Sequence, residues 1–202
     1  GFQITLPDWW PPTFNESKNF ILGMQEVVED IYMILYNPPH AKVLLSLEEI
    51  SLLKQSVQNL VGIKCAGGDE QWYSQRRELL DDFSVFVPGH TVVYGKPLGA
   101  NGSYSNVACL SPNGAVKIWD LIEKDYEKAQ ELEAKVLNFM KQYILPFANK
   151  LSNTGLDKLL ASVGGWGPVS EKVLWPYDGA TTEDVKKIKI HANNELEEIL
   201  NV

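Results

Sequence analysis

Leu60-Val61-Gly62-Ile63-Lys64 is an apolar run that ends on a lysine and opens into Ala66-Gly67-Gly68-Asp69. A strand covered on both faces reads as such a run, and the glycines with Asp69 read as a loop feeding a helix, here to about Leu80. Similar units lie on either side. Phe2 to Leu6 reads as a strand closed by Asp8-Trp9-Trp10-Pro11-Pro12, and Tyr32 to Tyr36 as a second, ending at Asn37-Pro38-Pro39. Phe83 to Val87 is a fourth strand before Pro88-Gly89-His90-Thr91, and Asn101 to Val107 a fifth strand-like run.

Helical patterns fill the intervals. Asn15 is a candidate N-cap for a helix to about Glu29 with Phe20, Met24, Val27 and Val28 on one face. Ser46 with Glu49 forms a capping box ahead of Ile50, Leu53 and Val57. A short helix runs through Leu98, and helices are expected at about 112–122, 125–149, 155–163 and 183–200, with a Gly/Pro/Trp-rich break at 164–179.

Apolar strands alternating with helices imply an α/β fold with a parallel sheet. A doubly wound sheet and a (β/α)8 TIM barrel are the two candidate architectures. No glycine fingerprint for a dinucleotide follows the first strand, which lowers the former. Five units are too few for a closed barrel, which typically takes about 250 residues. The barrel reading therefore expects three βα units ahead of Gly1, consistent with a chain that opens in a strand and without methionine. It divides the chain into a partial barrel, strands 4–8, over 1–123 and a C-terminal helical extension over 124–202.

Composition narrows the function classes. The 202 residues carry a formal charge of -8, against the basic faces that nucleic-acid binders use. There is no apolar run of roughly 18 residues to span a membrane. Cys65 and Cys109 make no disulfide framework and fit a reducing, cytoplasmic compartment. With three scattered histidines they match no zinc spacing, so neither a metal nor another cofactor is expected.

In either architecture the site lies at the C-terminal ends of the strands. That rule selects Trp9 and Trp10, Tyr36 and Asn37, Lys64, Gly89 and His90, and Tyr104 to Asn106. Lys64 carries the most information. Desolvation at the end of an apolar strand favours the neutral amine, the form that attacks a carbonyl. A lysine that snorkels to the rim or pairs with a carboxylate fits the same spacing. Tyr36, ending the neighbouring strand, is either a proton shuttle or a core tyrosine. Gly89 either admits a ligand close to the backbone or is an ordinary turn glycine.

Ile34-Leu35-Tyr36-Asn37-Pro38-Pro39, Val61-Gly62-Ile63-Lys64 with Gly67-Gly68-Asp69, and the spacing of Tyr36, Lys64 and Gly89 resemble the dihydrodipicolinate synthase/N-acetylneuraminate lyase family. Gly155 to Gly164 and Val173-Leu174-Trp175-Pro176 resemble its C-terminal helical region. The resemblance starts at about the family's fourth barrel strand and covers essentially the whole chain. It implies a (β/α)8 barrel with added helices, assembled as a homodimer or homotetramer. Lys64 would be a Schiff-base lysine for pyruvate or a larger 2-oxo acid, and Tyr36 its proton donor and acceptor. The implied activity is that of an aldolase, lyase or dehydratase. Substrate contacts are expected from Gly89, His90, Tyr104 and Trp10. The family's carboxylate-binding Thr/Ser pair belongs to its second strand, and no residue here is assigned that role.

Three departures bear on substrate. Ala41 stands where dihydrodipicolinate synthases carry an arginine for the second substrate. Trp10 takes the place of a relay tyrosine, and an indole donates a hydrogen bond but cannot relay a proton. His90-Thr91 replaces acidic residues. His40 and His90 are candidates for the distal part of a substrate, or plain solvated loop residues. An authentic dihydrodipicolinate synthase and a non-catalytic scaffold of the same family are the alternatives.

Overall fold

The computed structural model describes residues 1–202. Five strands form one parallel sheet: β1 (Phe2–Thr5), β2 (Met33–Asn37), β3 (Leu60–Cys65), β4 (Ser84–Pro88) and β5 (Gly102–Tyr104). They lie side by side in chain order, each parallel to the next. A doubly wound sheet reverses its direction of growth at a switch point, so sequential order belongs to the barrel alternative.

Alternation sets the two faces. Ile4, Met33, Leu35, Ile63, Cys65, Val85 and Val87 are all buried on one side. Helices α1 (Phe14–Val28), α2 (Leu47–Ser56) and α3 (Glu70–Leu79) contribute Ile21, Ile50, Leu53 and Tyr73 to the same core. The opposite face carries, in one aligned row, Thr5, Tyr36, Lys64, Phe86 and Gly102.

That row depends on a register irregularity. Met33 pairs with Leu60 but Ile34 pairs with Gly62, which leaves Val61 as an extra residue on β3. A one-residue slip exchanges the faces of a strand, so this bulge is what brings Lys64 level with Tyr36. Gly62 follows from close strand approach, because a Cβ there would lie 2.8 Å from the Ser84 carbonyl oxygen.

The chain separates into two compact units, residues 1–88 with 95–104 and residues 89–94 with 105–202. The first holds the sheet. In it Arg76 is buried, donating from its guanidinium to the Phe83 carbonyl and, at 3.5 Å, to Asn101 Oδ1.

The second unit is helical: α5 (Val107–Leu110), α6 (Pro112–Lys124), α7 (Tyr126–Phe139), α8 (Asn153–Gly164), α9 (Thr182–Glu195) and α10 (Glu197–Leu200). A short helix, α4 (Val92–Leu98), runs from one unit into the other. Leu110, Ile118, Leu132, Val136, Phe139, Leu159, Val163 and Ile199 make the helical core. Ser111 donates to the Ile199 carbonyl at 2.8 Å and accepts from Gly114 N–H at 3.0 Å, tying α10 to the start of α6.

Several local expectations are corrected. The N-cap of α1 is Thr13, not Asn15, because Thr13 and Glu16 cap each other reciprocally. The face it buries runs through Ser17 and Ile21, while Val27 is exposed. The strand expected over Asn101 to Val107 keeps only Gly102–Tyr104, since Val107 already belongs to α5. The continuous helix expected to residue 149 ends at Phe139. A π-helical turn over Met140–Ile144 and a 3-10 turn over Leu145–Phe147 follow it. Pro146, which has no N–H and clashes with the preceding turn, accounts for the break. The capping box of Ser46 and Glu49 stands as expected.

Candidate active site

Lys64 ends up on the face opposite the helix-covered core because β3 alternates after its bulge: Ile63 and Cys65 are buried, Lys64 half-buried. Its Nζ lies 4.3 Å from the ring centroid of Tyr36 and 5.1 Å from that of Tyr104. Tyr104 is itself held edge-on by Phe86 at 5.4 Å. Three of the expected residues, Lys64, Tyr36 and Tyr104, are thus brought together on one face. Phe86 and Thr5 complete the row, and only the strand register, not local pattern, identifies them.

Aromatic faces on two sides limit water around the amine and present electron-rich surface to it. Cys65 points the other way, as the alternation required. Burial pushes its thiol up, with a backbone bond from Gly67 opposing the shift.

Asn37 is the residue whose role sequence reasoning missed. Buried at the end of β2, its Nδ2 donates to the Leu45 carbonyl at 2.9 Å and its Oδ1 accepts from Leu45 N–H at 3.0 Å. These paired bonds close the loop 38–44 like a clasp. That loop carries His40, Ala41 and Lys42. With Pro7, Asp8 and Tyr36 they line a cavity of about 210 Å³ beyond the ends of β1 and β2. His40 meets Tyr36 edge-on at 6.2 Å. Lys42 donates to the Trp9 carbonyl at 3.2 Å. Trp10 is 78% exposed and does not line this cavity.

Gly89 and His90 belong to the helical unit, in a 3-10 turn directly after β4. The space beside Gly89 is taken by Ser105, whose side chain a Cβ would overlap. The glycine is therefore required by packing. His90 Nδ1 pairs with the Asn106 side-chain amide, 2.9 Å from its Nδ2 and 3.0 Å from its Oδ1. The next residues are clamped by α7: Glu133 accepts from Val93 N–H at 2.9 Å, and Tyr126 donates to the Val93 carbonyl at 3.3 Å. Burial pushes the Glu133 carboxyl up, partly offset by backbone bonds from Val93 and Tyr94.

No group of three or more His, Cys, Asp or Glu side chains is placed to hold a metal ion. No helix is long and apolar enough to cross a membrane.

The sequence profile of the Dihydrodipicolinate synthetase family matches residues 1–192. The chain belongs to this family. A curated relative, the 4-hydroxy-tetrahydrodipicolinate synthase of Teredinibacter turnerae, is 33% identical over 106 residues, 51% of this chain and 36% of that protein. Among solved structures, the N-acetylneuraminate lyase of Fusobacterium nucleatum superimposes with a TM-score of 0.76 at 17% identity. It covers 96% of this chain and 64% of that one. A prophage protein of the dihydrodipicolinic acid synthase family from E. coli, solved with pyruvate, gives 0.75 at 20% identity, with 96% and 65% coverage. At these identities the likeness establishes the fold, here five parallel strands of a (β/α)8 barrel followed by C-terminal helices. The chain spans about a third of the curated relative and under two thirds of these solved structures.

Proposed function

We propose that this family member acts on pyruvate, or on a 2-oxo acid built from it, by forming a Schiff base at Lys64. The observation that carries the reading is the Lys64 amine at the end of β3, 4.3 Å from the Tyr36 ring and 5.1 Å from the Tyr104 ring. Neutral Nζ adds to the C2 carbonyl, and Tyr36 supplies the proton with which the C2 oxygen leaves as water. The iminium then accepts an electron pair. That pair comes from the C3–C4 bond when the chain is cleaved, or from a C3–H bond when a new bond or a dehydration follows. Hydrolysis returns the free amine. The reading extends to a homodimer or homotetramer in the cytoplasm. In support of assembly, Trp9 and Trp10 are 94% and 78% exposed, a large apolar surface for a partner copy to cover.

Borohydride added with pyruvate is expected to fix one reduced pyruvyl group on Lys64, located by peptide mass, and Lys64→Ala to abolish it. Absence of an adduct with every member of a panel of 2-oxo acids would refute the reading. The identity to a 4-hydroxy-tetrahydrodipicolinate synthase favours a second reading, condensation of pyruvate with aspartate semialdehyde. A coupled assay without turnover on that pair removes it.

A further inference from the structure

We infer that a cavity between α2 and α3, on the side of β3 away from Lys64, is a second ligand site, shaped for a primary amine on a short aromatic or aliphatic body. The cavity measures about 310 Å³. Its floor is Ile63 and Cys65, which alternate with Lys64 along β3 and so face the opposite way. The two sites therefore share a strand but lie on its opposite faces.

The walls are apolar and held in place. Leu47 and Ile50 come from the start of α2, and Trp72 from α3. Trp72 stands against the backbone at Gly68, where a Cβ would lie 2.5 Å from the tryptophan Cβ and Cγ, and Tyr73 meets its ring edge-on at 5.0 Å. The Asn37 clasp fixes Leu45, another wall residue, from the β2 side. Burial pushes the Cys65 thiol up, so the floor carries no charge at neutral pH. An apolar space of this size with preset walls suits an uncharged, mostly carbon body.

The mouth sets the head group. Glu48 is the only charged residue lining the cavity; it is exposed at the start of α2 and enters no ion pair. Its own backbone N–H, and then the Ser46 hydroxyl, hold its carboxyl below the usual carboxylate range, so it is ionised at neutral pH. Gln75 donates to its Oε1 from α3, which ties the carboxylate to the facing helix. The acceptor sites that remain on such a carboxylate suit an ammonium, and its charge repels an anion.

The test is calorimetric titration of the full chain at low salt with three compounds of one body: 2-phenylethylamine, 2-phenylethanol and 3-phenylpropionate. The amine should bind saturably, one per chain, about threefold tighter than the alcohol and about tenfold tighter than the acid, the scale of an ion pair at an exposed mouth. Glu48→Gln should bring the three within about twofold of one another. Glu197→Gln, an equal loss of charge on α10, should leave their order unchanged. Ala66 lines the cavity and is exposed, so Ala66→Trp should fill the mouth and abolish binding of all three. No saturation by the amine below about 10 mM overturns the inference. So does an acid bound as tightly as the amine, a preference that survives Glu48→Gln, or full affinity in Ala66→Trp. Lys64 takes no part in these readings, so their failure leaves the Schiff-base proposal standing.

Discussion

Replacing Asn37 with alanine removes both bonds of the clasp that closes loop 38–44. The bonds are ordinary in length, 2.9 and 3.0 Å, but Asn37 and Leu45 are only 6% and 4% exposed. Each amide bond contributes roughly 0.5–1.5 kcal/mol, and a buried backbone group left without a partner costs about 1–3 kcal/mol. Allowing for partial relaxation of the loop, Asn37→Ala should lose about 2–4 kcal/mol, a large share of the ~5–15 kcal/mol typical of a native protein. With a urea slope near the top of the usual ~1–3 kcal/mol/M range, the unfolding midpoint falls by about 1 M.

Asn37→Asp supplies an internal check. Its carboxylate still accepts from Leu45 N–H, but the second oxygen now faces the Leu45 carbonyl, and the charge is buried. Both effects raise the native pKa of the new carboxyl above its unfolded value of about 3.9. A raised carboxyl pKa means that the native state holds the proton more tightly. The variant should therefore be closest to wild type near pH 4 and lose ground as the pH rises, while the alanine penalty stays flat. Urea titrations from pH 4 to 8 read both. A midpoint shift under about 0.3 M at unchanged slope, or an aspartate variant matching wild type at neutral pH, would refute the clasp.

Two further outcomes follow from other parts of the molecule. Tyr36→Phe keeps a ring 4.3 Å from Lys64 Nζ but has no proton to give. Trapping of pyruvate should slow by about a hundredfold or more, and equal rates would remove the phenol from the chemistry. On the helical surface, Glu198 sits 2.9 Å from Lys128 and 2.8 Å from Lys135, which hold its carboxyl down from 4.5 to about 2. A lowered acid pKa adds stability that is present above the unfolded value and lost as the pH falls through the native one. Wild type should melt above Glu198→Ala at neutral pH, with the gap closing between about pH 4.5 and 2 and also in roughly 1 M salt. A gap indifferent to both pH and salt would contradict this.

What was legible in the sequence was whatever repeats locally. Apolar runs located the strands, and Ser46 with Glu49 fixed the start of α2. Thr13 with Glu16 offers the same signal, obscured by Asn15, another cap-forming residue two positions on. The single step from Tyr36 at one strand end to Lys64 at the next placed the two side by side. Features made by chain segments far apart were not legible. Lys42 bonded to the Trp9 carbonyl, Asn37 paired with Leu45, and Asn101 Oδ1 accepting from Val85 N–H at 2.9 Å all need the folded chain to be seen. The shortened β5 belongs here too. Ser105 accepts from Ala108 N–H through its hydroxyl, at 3.3 Å, and turns the chain into a helix.

The unpaired Val61 is slack in β3. Losing that one position would leave Leu60 opposite Met33 and Gly62 opposite Ile34, a regular ladder in which Lys64 still stands level with Tyr36. The same residue drawn into the ladder, with Val61 opposite Ile34, would instead carry Lys64 one place on, to the side where Leu35 and Val85 are buried. The direction of the amine thus hangs on one position staying out of step, and not on the side chain that stands there.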